Sequence, residues 1–195
     1  KFDRFEFFPS ISGKFIKDFA NEAKPECKPL GGLDSKIALK SDLNLNLSVY
    51  PDFSMVDVDQ QYIDFYRYEY KVAEQRLFFL ENNDLFSNFG SEDNFLTPGY
   101  SYKIKPFYTR RIGINNWEYF QIYYGARLSG NINDNLRVGM MNVQTSDFKE
   151  VPEQNFTVGS FQQRLGTNST LKGIAVNRQN IHDNQDSISR YNRNA

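Results

Sequence analysis

Long stretches of the sequence alternate between apolar and polar residues with a period of two. In residues 36–49 the apolar side chains fall on one face of an extended strand and the polar ones on the other, broken only at Ser41. Residues 119–132 repeat the pattern, and residues 4–16 show a rougher version. Strands of soluble sheets have about 5 to 6 residues, whereas a tilted strand needs about 9 to 11 to cross a bilayer. The alternation therefore predicts membrane-spanning strands.

The lengths of the connections between predicted strands indicate an orientation. Shorter strands are predicted at about 103–113, 136–146, 157–165 and 170–178. Residues 131–135 and 166–169 form tight links, whereas residues 17–34, 146–155 and 179–190 form long, polar ones. Outer-membrane barrels have short periplasmic turns and long external loops. We therefore expect an all-β fold, a partial antiparallel transmembrane β-barrel of about seven to eight strands, the eighth beginning near Tyr191.

One long segment does not fit a succession of hairpins. Residues 50–102 separate two predicted strands on the side assigned to the periplasm, and so long a connection usually has a function or its own structure. The sequence thus divides into residues 1–49, with two barrel strands and an outer loop, an insertion at 50–102, and further strands at 103–195. The insertion is expected to be a plug in the lumen or a periplasmic segment.

Composition agrees with strands that have one apolar and one wet face. Aromatic residues make up 16% of the chain, yet the mean hydropathy is −0.62. The formal net charge of −1 argues against a nucleic-acid partner, which usually demands a basic patch. Cys27 is the single cysteine, so no disulfide or cysteine-based metal site forms within the chain, and no cofactor is predicted.

Five ordered motifs carry a family resemblance. They are Pro51-Asp52-Phe53-Ser54 with Val56 and Asp59; Glu74, Arg76, Phe78-Phe79, Glu81 and Leu85-Phe86; Tyr108-Thr109-Arg110-Arg111-Ile112-Gly113; Gly125-Ala126-Arg127-Leu128-Ser129-Gly130; and Asn142-Val143-Gln144-Thr145. In this order they resemble an uncharacterised Bacteroidota outer-membrane family. Its members pair an N-terminal carbohydrate-binding domain, similar to binding-module family nine, with a C-terminal membrane β-barrel. The chain is similar to the N-terminal part of that barrel, with Leu77 where the family usually has proline.

The resemblance implies a location in the bacterial outer membrane. It also implies outer-membrane lipid as a partner, together with other envelope proteins and glycans. It supplies no mechanism, because the family has no established activity.

Charged residues of the insertion and the following segment form a candidate lumen or plug cluster. Its members are Asp52, Glu74, Arg76, Glu81, Arg110 and Arg111. Charges in a low-dielectric interior must be paired, and arginine can hold a carboxylate bidentately. We expect these pairs to hold the insertion against the barrel wall; the alternative is a selectivity or substrate site.

Aromatic residues around residue 120 are candidates for the membrane interface. Tyrosine and tryptophan favour the boundary between lipid and water, where an amphipathic ring meets both of its environments. The candidates are Trp117, Tyr119, Tyr123 and Tyr124.

Three functions remain open from the sequence. The first is a non-enzymatic outer-membrane barrel with a pore, transport or envelope-complex role, linked to glycans. The second is a carbohydrate-active hydrolase, which needs two carboxylates about 5 to 9.5 Å apart, such as Asp52 and Glu81. The third is a soluble, sugar-binding β-sandwich. The shortage of strands fits either a piece of a larger barrel or a barrel captured during assembly by the insertion machinery.

Overall fold

The computed structural model describes residues 4–16, 26–51, 74–87, 106–115, 118–149, 151–167 and 169–181. Within these ranges the chain is mostly strand, with three short helical turns. The strands are β1 (Phe5–Ile16), β2 (Glu26–Lys40), β3 (Leu43–Val49), β4 (Ile114–Asn115), β5 (Glu118–Tyr119), β6 (Ile122–Asn133), β7 (Leu136–Thr145), β8 (Gln154–Leu165) and β9 (Ser169–Asn180). The helices are α1 (Leu77–Leu80), α2 (Asp84–Ser87) and a 3₁₀ turn at Thr109–Arg111.

Seven of these strands form one antiparallel sheet. Its order is β1-β2-β3-β6-β7-β8-β9, so every strand pairs with its neighbour in the chain except where β3 pairs with β6 across the insertion. β4 and β5 form a separate two-stranded ribbon. The predicted all-β antiparallel architecture is confirmed. The sheet is open, with β1 and β9 at its two edges.

Residues 36–49, predicted as one strand, are parts of two. The chain reverses at Ser41 and Asp42, and β2 pairs back onto β3. The alternation conceals this turn because a bulge lies between Ala38 and Lys40. Lys40 pairs with Leu43 beside the turn, but beyond the bulge Ile37 pairs with Leu45, odd number with odd number. The bulge thus restores the phase that a two-residue turn would have reversed, so residues 1–49 hold three strands.

The strand predicted at 103–113 is wrong over its described part, residues 106–113. This stretch contains the 3₁₀ turn and no strand, and Phe107 and Ile112 are buried in the cluster on one face of the sheet. Pro106 removes a backbone donor, and Gly113 turns the chain at a φ of 71°. One predicted strand is therefore two strands, and another belongs to the segment that covers the sheet. The sheet accordingly still has seven strands.

All the short connections lie at one end of the sheet. These are residues 41–42, 134–135 and 166–168, whereas residues 17–25, 50–121 and 146–153 connect strands at the other end. The insertion therefore leaves the sheet on the side of the long connections, and its assignment to the short-turn side is wrong. The reversal at Ser41 and Asp42 is the cause, because it adds one crossing of the sheet before the insertion begins.

The two faces of the sheet differ. On the covered face, which includes Asn46, Arg127 and Met141, residues 74–87 and 106–113 pack against the strands. Their buried cluster consists of Phe79, Leu85, Phe86, Phe107, Ile112, Ile122, Met141, Val143, Phe156 and Val158. The open face, which includes Leu47, Ala126 and Met140, carries no described segment.

The described charged side chains of the strands lie almost entirely on one face of the sheet. The strand registers place the charged side chains of the described strand positions on the covered face, with Lys40, beside the turn, as the exception. They are Glu6, Asp34, Lys36, Arg127, Arg137, Arg164, Lys172 and Arg178. The open face instead exposes large apolar side chains, including Phe7 at 62% and Met140 at 60%. Alternation thus produced one face that is nearly free of charge, and that face is the uncovered one.

The helices of the covering segment are each a single turn long. Within the described residues, no helix combines the length and the apolar character needed to cross a membrane.

Gly130 tests the packing of the β2–β3 turn against β6. Its φ is +139°, and an added Cβ would overlap the carbonyl of Asp42, which accepts a hydrogen bond from the Asn131 N–H at 2.7 Å. We expect Gly130→Ala to lower the free energy of unfolding by about 1–3 kcal/mol, measured by urea titration. Gly159→Ala is the matched control, since no atom lies within 4 Å of its added Cβ. Equal stability of the two variants would contradict this packing.

Candidate functional site

Arg127 lies at the centre of the contact between the sheet and the insertion. Arg127 is 1% exposed, and the alternation of side chains along β6 directs it to the covered face of the sheet. Its two terminal guanidinium nitrogens donate to the carbonyl oxygens of Phe78 and Glu81. These carbonyls lie at the C-terminal end of α1, where the last carbonyl groups of a helix have no partner within the helix. The sheet therefore supplies the C-terminal cap of the first helix of the insertion.

Glu81 makes the second contact between the insertion and the sheet. Its carboxylate accepts hydrogen bonds from Asn44 at 3.1 Å and Asn46 at 2.8 Å, and it pairs with the Lys36 ammonium at 3.0 Å. Burial raises the pKa of Glu81, but the contacts with Asn46, Lys36 and Asn44 outweigh it, and the pKa lies below its ordinary value of 4.5. Two strands thus hold this carboxylate in its charged form.

Two further polar contacts extend this attachment toward the short-turn end. Asn82 donates to the Ser129 hydroxyl at 3.0 Å, and Arg137 pairs with Asp84 at 2.7 Å. Arg137 and Asp84 are partly exposed, so their pair contributes little, about 0–1 kcal/mol. The attachment therefore depends mainly on the buried guanidinium of Arg127 and on the partly buried Glu81 carboxylate, which also accepts hydrogen bonds from two amides.

Glu74 and Arg76 form a bidentate pair inside the covering segment. The Arg76 Nε and one terminal nitrogen each donate to a Glu74 carboxylate oxygen at 2.8 Å, and the two side chains are 5% or less exposed. Arg76 also donates to the carbonyls of Ile112 at 2.6 Å and Thr109 at 2.8 Å. Burial raises the pKa of Glu74, but its bonds and charge interaction with Arg76 lower it below 4.5. The pair joins the two parts of the covering segment.

The remaining members of the candidate charged cluster lie elsewhere. Arg110 donates to the Tyr119 hydroxyl at 3.0 Å, and Arg111 is exposed at the end of the 3₁₀ turn. Asp52 lies outside the described residues, so its placement relative to Glu81 is open.

Three of the candidate interface aromatics are described, and they lie near the long-connection end. Tyr119 is on β5, Tyr123 meets the ring of Tyr50 edge-on at 5.9 Å, and Tyr124 is 43% exposed on the open face. Trp117 lies outside the described residues.

Comparison with known proteins places the chain in a family. The model of the family described as a domain of unknown function, DUF5916, matches residues 3–165. The chain belongs to this family. No curated protein and no solved structure matches the chain.

In this DUF5916 chain, most of the sheet residues that contact the insertion were absent from the charged cluster predicted from the sequence. Lys36, Asn44, Asn46, Arg127 and Ser129 all occupy polar positions of alternating strands. The alternation assigned them to one face, which was the available signal. It could not show that the insertion would return to cover that face, because the partner residues are more than thirty positions away.

A polar recess lies where the insertion meets the short turns. Its volume is about 430 Å³, and Asp42, Glu81, Asn82, Asn131 and Arg137 contribute to its lining. Among the described residues, no group of three or more His, Cys, Asp and Glu side chains is placed to hold a metal ion. What the site can do chemically is hold the insertion against the sheet through paired charges and amides.

The lowered pKa of Glu81 makes this attachment dependent on pH. Its contribution to stability is fully present above the ordinary pKa of 4.5 and is lost as the pH falls through the lowered value. We expect Glu81→Gln to destabilise the protein by about 1 kcal/mol at pH 7, measured by urea titration. The difference in unfolding free energy between this variant and the parent protein should vanish as the pH falls below the lowered pKa of Glu81. Asp134→Asn, in an exposed turn, is the control; a Glu81→Gln effect that persists in acid would exclude the charged contact.

Proposed function

We propose that the seven-stranded sheet is part of the wall of a transmembrane β-barrel in the bacterial outer membrane. In this proposal the open face meets lipid, the covered face lines the lumen, and residues 74–87 and 106–113 are held inside as a plug. The protein acts without enzymatic chemistry, in transport or in an envelope complex.

The distribution of charge between the two faces carries the proposal. Arg127, Lys36 and Asp34 point to the covered face, whereas the described part of the open face has Lys40 as its one charge, beside a turn. A lysine or arginine facing lipid costs about 2–4 kcal/mol at the middle of a bilayer and about 0–1 kcal/mol near its surface. A soluble sheet would instead bury its apolar face and expose its charges.

The covering segment supports a wall of more than eight strands. A barrel of about eight strands has an interior just wide enough for side chains. Here α1, α2 and the 3₁₀ turn, backbone included, lie against the covered face. A lumen that holds them needs a larger circumference.

The edges of the sheet support the same conclusion. β1 and β9 run in the same direction because an odd number of antiparallel strands separates the two edges. They cannot pair with each other in an antiparallel ladder, and unpaired backbone groups in lipid cost several kcal/mol each. We infer that an odd number of further strands lies between β9 and β1, roughly three or more.

The location and role rest on the family resemblance as well as on the sheet. Short turns at one end and long connections at the other match the periplasmic and external sides of outer-membrane barrels. The insertion then enters the lumen from outside and reaches the short-turn end through Glu81 and Asp84. A plug attached in this way favours gated transport or an envelope complex over a permanently open pore.

Leu47→Arg tests whether the open face meets lipid. We expect the variant to lose about 2–4 kcal/mol of folding free energy in the bilayer and to accumulate unfolded outside the outer membrane. Heat-modifiable migration of the membrane fraction measures the folded share. Leu77→Arg is the matched control, since Leu77 is 85% exposed but belongs to the insertion. Equal behaviour of the two variants, with the parent protein soluble without detergent, would exclude the barrel.

Lys172→Pro tests whether β9 pairs with a further strand. The Ile181 N–H donates to the carbonyl of Glu153, the residue just before β8, so by alternation the Lys172 N–H points away from β8, toward the outer edge. We expect Lys172→Pro to reduce the folded share of the full-length protein about as strongly as Gly173→Pro, which removes a donor facing β8. A fully folded Lys172→Pro variant would identify β9 as a free edge.

A further inference from the structure

The apolar residues of the open face form a stripe that crosses the sheet obliquely. On β1 the stripe includes Phe5, Phe7, Pro9 and Ile11. On β9 it includes Leu171, Gly173 and Ala175, between Ser169 and Asn177. The strand registers show that these two sets lie at different heights along the sheet.

One row of laterally paired residues makes the obliqueness visible. Going from β1 to β9, the row that contains Leu47 reads Phe7, Ser35, Leu47, Ala126, Asn142, Thr157, Asn177. Its first part is apolar except for Ser35, and its last three positions are polar. A membrane boundary parallel to this row would leave amide groups and Leu47 at the same depth.

The slope of the stripe follows from the registers. The row of Phe5 continues through Leu45 and Met140 to Ala175, which is the last apolar residue of β9 on the long-connection side. On β1 the apolar positions of the open face reach at least to Ile11 on that side, and 11 − 5 gives a shift of at least six residues over the six steps from β1 to β9. An average shift of one residue per strand, about 3.3 Å per 4.8 Å of lateral spacing, corresponds to a tilt of about 35°, which is therefore a lower bound.

Beyond the stripe, an amide-rich patch occupies the corner of the open face at the long-connection end. It consists of Asn142, Gln144, Asn155, Thr157, Asn177 and Gln179. Asn142 donates to Asn155 at 2.9 Å and to Thr157 at 2.8 Å, and Asn155 donates to Gln144 at 3.0 Å. These groups retain further donors and acceptors, which hydrocarbon cannot satisfy.

We propose that bilayer hydrocarbon covers the oblique stripe, so that the strands cross the membrane tilted by about 35° or more and the amide-rich patch lies beyond the hydrocarbon, in the headgroup layer on the long-connection side. The inference rests on the proposed function and adds the depth of each strand to it. The angle agrees with the tilt of about 35–45° that closure of a barrel requires. The stripe has no charged side chain at its described positions from β1 to β9, as an uncharged solvent demands.

Depth-dependent quenching tests the slope on the full-length protein. Cys27→Ser provides the background, and single cysteines replace Leu47, Thr157 and Phe161, each carrying a small environment-sensitive fluorophore. The protein is folded into phosphatidylcholine vesicles with bromine either at mid-chain or absent, and aqueous iodide is the second quencher. Leu47 and Thr157 are the matched pair, because they lie in one row, on one face and on strands of one sheet.

We expect mid-chain bromine to quench the probes at Leu47 and Phe161 at least about twofold more than the probe at Thr157, and iodide to reach Thr157 alone. Equal mid-chain quenching at Leu47 and Thr157 would overturn the oblique crossing while leaving the barrel in place. No mid-chain quenching at any position, with iodide reaching all three, would overturn the barrel itself.

Discussion

The structure depends on the buried guanidinium of Arg127 and the two carbonyl groups of the insertion that it binds. A strand residue that faces into the protein with a charge must find partners there, because an unpaired buried charge costs several kcal/mol. The sheet contributes the arginine, and α1 contributes carbonyls that its own helix leaves unsatisfied. Each side of the contact therefore resolves a polar requirement of the other, and the insertion cannot leave without exposing both.

The same contact explains why the segment that covers the sheet makes both apolar and polar contacts with it. Apolar packing of Phe79, Phe86 and Val143 supplies non-directional attraction. Arg127 and Glu81 determine where along the sheet the covering segment lies. The Glu74–Arg76 pair then joins the first part of the segment to the 3₁₀ turn. The covering segment has a defined position on the sheet because its polar contacts are directional.

Much of the fold was predictable from alternation, and the errors have identifiable causes. The bulge near Ala38 preserved the phase of the pattern through a turn, so two strands looked like one. Residues 106–113 resembled a strand because Phe107 and Ile112 are apolar, yet they pack onto the sheet without joining its ladder. The charged residues Glu74, Arg76 and Glu81 were recognised as candidates, whereas Arg127, Asn44 and Asn46 were not, since their roles appear only when the insertion is in place.

The sequence by itself determined which residues share a face of each strand, because side-chain direction alternates strictly along an extended backbone. It also determined that one face is nearly free of charge. Only the tertiary structure decided that the nearly uncharged face stays open and that residues 74–87 and 106–113 cover the charged one. Only the pairing of the strands decided the slope of the apolar stripe. Register depends on bulges and turns, and a single extra residue moves every side chain beyond it to a different row and face.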